Sequence, residues 1–166
     1  MEDKSNIIGI IFDFAIHLEE ENHFFYNECA LKVRDKEAKD MFNFLANEES
    51  KHRDIVINLK NKYLMDSDEE YQIGEIESGN ISAEVIDKDE IVEKYDLLDV
   101  LNRAIYVEKQ SIKLYKNLLN EEFPGYVKDA LRRIIEEEER HLSILENEMK
   151  SVTDVGAFVD FREVTY

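Results

Sequence analysis

KDALRRIIEEEERHLSIL, residues 128–145, carries its apolar residues at the spacing of one helix face: Leu131, Ile134 and Leu145 recur by threes and fours. At the centre of that face, where apolar residues are due, stand Glu138 and His141. Shifting the chain by 89 residues lays KDMFNFLANEESKHRDIV, 39–56, on the same stretch, and AIHLEEENHFFY, 15–26, on AIYVEKQSIKLY, 104–115. Ala15, Ile16, Glu19, Tyr26, Lys39, Asp40, Glu48, Glu49, His52 and Ile55 each meet an identical residue. The chain is therefore two copies of one helical hairpin.

Working outward from this repeat, four helices are expected over about 5–33, 35–64, 97–120 and 124–150. Short joints at Arg34-Asp35 and Phe123-Pro124-Gly125 make each pair antiparallel neighbours. Asp96 suits an N-cap for the third helix and Pro124 the first turn of the fourth. Residues 65–96 have weak periodicity and enough length to cross over along a bundle, with a short helix near 82–93. That crossover leaves the second and third helices parallel. Residues 151–166, SVTDVGAFVDFREVTY, lack a clear helical pattern; Phe158, Val159, Phe161 and Val164 suggest packing on the bundle or on a neighbouring chain. The expected fold is all-α: one domain over 1–150, a four-helix bundle of two repeated antiparallel hairpins joined by a long crossover, with a C-terminal tail.

Composition agrees. The 166 residues include one proline, five glycines and no tryptophan, which favours long helices over strands and turns. A net charge of −18 excludes nucleic acid and anionic membrane surfaces as partners. The single cysteine, Cys29, excludes an internal disulfide and a Cys-x-x-Cys metal site, and its helical setting suggests a buried, inert thiol. Asp13 interrupts the first apolar stretch, which lacks a basic leader; neither a signal peptide nor a membrane span fits, and a cytoplasmic location is expected.

The inward seams repeat the opening puzzle four times. The second helix reads Ala38, Phe42, Leu45, Glu49, His52, Val56, Leu59, Tyr63, and the fourth Val127, Leu131, Ile134, Glu138, His141, Leu145. The first reads Ile8, Phe12, Ala15, Glu19, Tyr26, Ala30, and the third Leu97, Leu101, Ala104, Glu108, Tyr115. Each seam is broken near its middle by a glutamate, followed on two helices by a histidine on the same face. Four buried carboxylates need protons, splayed helices or cations. Four carboxylates and two imidazoles at one level suit two divalent metals: Glu19, Glu49, His52, Glu108, Glu138 and His141 are the candidate ligands. Such a donor set fits iron, with manganese or zinc as substitutes. Tyr26 and Tyr115 are either core aromatics or hydrogen-bond donors to ligating carboxylates. His23 is a packed histidine or a support behind a ligand, His17 is peripheral, and Glu136, Glu137 and Glu139 are solvated surface.

At these residues the sequence resembles the ferritin-like superfamily, most closely the diiron domain of rubrerythrins, over roughly 5–64 and 97–150. The resemblance implies Glu19 and Glu108 as terminal ligands, Glu49 and Glu138 as bridges between two irons, and His52 and His141 on one iron each. It also implies an oxidoreductase that reduces hydrogen peroxide or dioxygen in oxidative-stress defence, and a homodimer. With one cysteine the chain lacks the four-cysteine rubredoxin module of rubrerythrins, so an external donor such as a rubredoxin-like protein is expected. Ser111 stands where peroxide-reducing rubrerythrins carry an extra glutamate, and Ser50 where bacterioferritins bind haem through methionine, so no haem is implied. The alternatives are a ferroxidase or iron-storage protein, which would need a cage or host shell, and a non-catalytic metal-binding bundle.

Overall fold

The computed structural model describes residues 4–66 and 97–163, with side chains described for 8–66 and 97–154. Among these residues there are four helices and no strand: α1 (Lys4–Lys32), α2 (Lys36–Asp66), α3 (Leu97–Leu118) and α4 (Gly125–Glu163). At about 1.5 Å per residue the 31-residue α2 runs about 46 Å, the length of the bundle.

Each joint has a local cause. Asp35 caps α2: its Oδ1 accepts the Ala38 N–H at 2.8 Å, and its carbonyl accepts the Lys39 N–H at 3.0 Å. At the second joint, the last turn of α3 tightens through i→i+3 bonds from Asn120 to Asn117 and from Glu121 to Leu118. The Pro124 carbonyl then accepts the Val127 and Lys128 N–H groups, so proline holds the N-cap of α4, one residue before the position expected of it.

Contacts across the bundle give the helix directions. Glu19 meets Tyr115, Asn22 meets Ser111 and Tyr26 meets Glu108, rising numbers against falling ones, so α1 and α3 are antiparallel. His52 lies against Glu137 and Glu138, and His141 against Glu49, so α2 and α4 are antiparallel too. With antiparallel hairpins, α2 and α3 run parallel, as a long crossover requires. Residues 67–96, with the expected short helix and the Asp96 cap, lie outside the described residues.

The core comes in two halves. One holds Ile8, Phe12, Val56, Leu59, Phe123, Val127, Leu131 and Ile134 around a group of three rings, Phe12, Tyr63 and Phe123, with centroids 5.5–6.0 Å apart. The other holds Cys29, Ala38, Phe42, Leu45, Leu101, Ala104 and Leu145, with Tyr26 stacked on Phe42. Burial pushes the Cys29 thiol up to about 12, which makes it a packing residue and not a nucleophile. Between the halves lies a layer of fully buried polar side chains.

The expected end of the fourth helix at 150 is corrected: α4 continues to Glu163. The β-branched residues that blurred the pattern are accommodated within it, Thr153 turning its hydroxyl back to the Met149 and Lys150 carbonyls while Val152 rests on the second half-core. The side chains through which the tail was expected to pack lie outside the described ones. No helix among the described residues is long and apolar enough to cross a membrane.

Because Asp35 caps the start of α2, Asp35→Ala is expected to cost about 1 kcal/mol while Asp35→Asn stays close to wild type. Urea denaturation of the two variants measures this, and equal destabilisation by both would argue against the cap.

Candidate metal centre

The polar layer is built from the mid-points of all four helices. Glu19, Glu49, His52, Glu108 and Glu138 have no exposure to solvent and His141 has 2%. They form two overlapping groups, Glu19–Glu49–His52–Glu138 and Glu49–Glu108–Glu138–His141; in each, one ligand atom per residue lies within 4.8 Å of the others. Glu49 and Glu138 belong to both groups, and Glu19, Glu108, His52 and His141 to one each. The structure thus brings together all six residues singled out in the sequence.

Half of each terminal glutamate is already engaged. The Tyr26 hydroxyl donates to Glu108 Oε1 at 2.5 Å, and the Tyr115 hydroxyl donates to Glu19 Oε1. Each tyrosine crosses from one repeat to the carboxylate of the other. The second oxygens, Glu19 Oε2 and Glu108 Oε2, have no hydrogen-bond partner, nor do both oxygens of Glu49, Oε1 of Glu138 and Nδ1 of His52. Buried polar atoms left without partners at this density are otherwise rare in folded proteins. Carboxylate oxygens and imidazole nitrogens facing one small volume fit two divalent ions such as iron, and two doubly charged cations would balance four carboxylates.

The imidazoles present Nδ1 to the cluster. His52 Nδ1 is 3.2 Å from Glu138 Oε1; His141 Nδ1 is 3.3 Å from Glu138 Oε2 and 3.4 Å from Glu49 Oε1. The rings stack with centroids 5.5 Å apart.

Without metal, protons must do the neutralising. Burial, then repulsion from Glu49 and Glu138, raises the Glu19 carboxyl well above its ordinary range; burial with the same two neighbours raises Glu108. Burial also works against Glu138, but the adjoining His141 and His52 imidazoles overcome it and hold this carboxyl down at about 2. Burial disfavours the charged form of His141 as well, yet the carboxylates of Glu138 and Glu49 lift it to about 9, and His52 is raised for like reasons. Burial and the adjacent glutamates keep both tyrosines protonated and able to donate.

Three residues around this layer, Asn22, Ser111 and Glu137, have places that the sequence reading did not give them. Asn22, 4% exposed, donates from Nδ2 to Ser111 Oγ at 3.0 Å. The two occupy matching positions in the repeat, one turn beyond Glu19 and Glu108, and their bond lies between the two Tyr–Glu bonds. Glu137, expected to be solvated surface, instead meets His52 Nε2 at 2.9 Å through Oε2. The identity of Glu48 and Glu137 in the repeat was the available signal. Glu136 and Glu139 are exposed as expected, Glu139 pairing with Lys116. His23 does not support a ligand: its ring joins the Ala46 carbonyl at 2.6 Å and the Asn27 side chain at 3.0 Å, tying α1 to α2. His17 lies exposed near Glu21.

The sequence model of the rubrerythrin family matches residues 11–149, which takes in all six clustered side chains. The chain belongs to the rubrerythrin family. Among solved structures, the chain is similar to a crystal structure from Thermotoga maritima described as a ferritin-like diiron-carboxylate protein. The two share 32% identity with a TM-score of 0.68, over 86% of this chain and 94% of that one. No curated protein sequence matches the chain.

The protonation pattern makes a prediction for metal-free protein. A histidine raised to about 9 from an unfolded value near ~6.5 stabilises the fold fully below that value and loses its contribution as pH rises through about 9. The raised Glu19 and Glu108 act in the same direction, because the unfolded chain releases protons that the folded one keeps. Tm of metal-free protein is therefore expected to fall between pH 6.5 and 9, and saturating divalent metal should remove the slope. Scanning calorimetry checks this; a flat metal-free profile would count against the assigned protonation.

Proposed function

We propose that this rubrerythrin-family protein is an oxidoreductase that holds two iron ions and reduces hydrogen peroxide to water. The observation that carries the reading is the sharing of Glu49 and Glu138 between two otherwise separate four-residue groups. That is the arrangement for bridging a metal pair, in the pattern of one glutamate from each of two helices and a Glu-x-x-His from each of the other two. The Thermotoga relative's description as a diiron-carboxylate protein supports iron.

When bound, two ferrous ions supply two electrons, matching the need of peroxide (H2O2 + 2e⁻ + 2H⁺ → 2H2O), whereas dioxygen needs four to reach water. The residues of the chain do the rest. Glu19 and Glu108 are each fixed through one oxygen by a tyrosine, which leaves the other oxygen without a partner and available to hold a metal ion. Glu49 and Glu138, common to both groups, would be shared between the two ions. His52 and His141 would each offer one neutral imidazole nitrogen, since a histidine that binds metal must be deprotonated. Phe12, Leu131 and Ile134 on one side, and Leu45, Leu101 and Leu145 on the other, are fully buried or nearly so and keep bulk water from the layer.

The reading includes an external electron donor of the rubredoxin type, since Cys29 is buried and alone among the described residues. It also includes a homodimer and a cytoplasmic role in defence against oxidants. Manganese or zinc would fill the same ligands, and zinc would give no turnover.

An anaerobic ferrous titration is expected to saturate at two ions per chain, and rapid mixing of the loaded protein to show oxidation by peroxide faster than by dioxygen. Glu138→Ala, which removes a shared ligand, should lose two-ion stoichiometry. Faster reaction with dioxygen, or uptake continuing well past two ions, would move the assignment to a ferroxidase or storage role.

A further inference from the structure

The two halves of the centre are related by the repeat, yet their histidines are supported differently. His52 turns Nδ1 to the cluster and is joined at Nε2 by Glu137 Oε2, 2.9 Å away. Glu137 is 34% exposed, and its other oxygen lies 3.4 Å from the Arg140 guanidinium. The residue matching Glu137 in the first repeat is Glu48, and it does not return the favour: it pairs with Lys51 on its own helix. Among the described residues no hydrogen-bond partner meets His141 Nε2, while the His141 ring has Phe44 edge-on, with centroids 6.1 Å apart. Position 44 is matched by Arg133 in the other repeat, so this difference too is built into the sequence.

We infer that Glu137 is a positioning residue for His52 and makes the metal position bounded by Glu19 and His52 the tighter of the two. The inference rests on the two-metal reading above. An imidazole that binds metal through Nδ1 carries its proton on Nε2. A carboxylate accepting that proton fixes the tautomer, holds the ring plane and makes Nδ1 a stronger donor to the metal. Among the described residues His141 has no such carboxylate, and the Phe44 ring packs edge-on against it instead. Metals in the two positions therefore differ in affinity even though the first ring of ligands, one terminal glutamate, one histidine and two shared glutamates, is the same for both.

Cobalt(II) is a suitable probe, because it takes carboxylate and imidazole ligands and can be followed by calorimetry and visible absorption. Wild-type protein is expected to bind two cobalt ions in two resolved steps. Glu137→Ala should weaken the first step about 10–100-fold, the usual range for losing such a support, and leave the second in place. Glu137→Gln keeps a neutral acceptor and should fall between. Glu48→Gln, at the matched position, is expected to leave both steps unchanged. Circular dichroism melting confirms folding of the variants, which change partly exposed residues. Two cobalt ions bound with the first step unaltered in Glu137→Ala, or equal effects from Glu48→Gln, would overturn the inference while leaving the two-metal centre intact. Fewer than two ions bound by wild-type protein would overturn both.

Discussion

An ionised carboxylate moved out of water costs several kcal/mol even after the protein relaxes around it, and this bundle places four at one level with no solvent contact. That cost can be met only by positive charge brought into the layer, as protons or as metal. The electrostatics favour the first solution: two carboxyls pushed toward their neutral forms, one held toward its ionised form, and imidazoles driven toward their charged forms. The unpartnered oxygens and nitrogen show the opening for the second. Everything else about the fold follows from having to keep such a layer both dry and correctly shaped.

Dryness comes from the split core, and shape from the tyrosines. A glutamate side chain has enough rotamers to fold away from its neighbours when they repel it. Tyr26 and Tyr115 restrict that choice by occupying one oxygen apiece, and they do so across the interface between repeats, so that neither hairpin can shift along the other without breaking both bonds. Asn22 and Ser111 add a third tie between them. On the opposite wall, the stacked histidines press α2 against α4. Electrostatic demand and helix packing are thus answered by the same side chains.

The fold and the six clustered residues were legible because they rest on periodicity. A helix that alternates steps of three and four shows its buried face directly, and a glutamate at such a position in all four seams stands out against the apolar residues around it. Duplication made the pattern visible twice. The parts that escaped rest on relationships periodicity does not encode. Asn22 is polar and Ser111 small, so neither looks like a core residue until the helix opposite is in place. Glu137 sits one position off the seam, on the flank that α4 turns toward His52, and within a run of four glutamates nothing local distinguishes it. His23 was drawn toward the centre by its place on α1, but its ring finds the Ala46 carbonyl first. The tail was misread because Val, Thr and Gly weaken helical preference without stopping a helix that is already under way.

Asn22 and Ser111 occupy equivalent places in the two repeats and touch each other, so their bond straddles the pseudo-twofold axis. On a true symmetry axis, a residue can meet only its own copy. A founding homodimer of identical hairpins would have supplied every ligand of this centre, but at that point it would have been confined to Asn against Asn or Ser against Ser. Fusion of two gene copies into one chain lifts the restriction, allowing an amide to face a hydroxyl of different size and one histidine to meet a carboxylate that, among the described residues, its twin does not. The two halves of the polar layer could then be tuned separately, a freedom closed to any assembly of two identical chains.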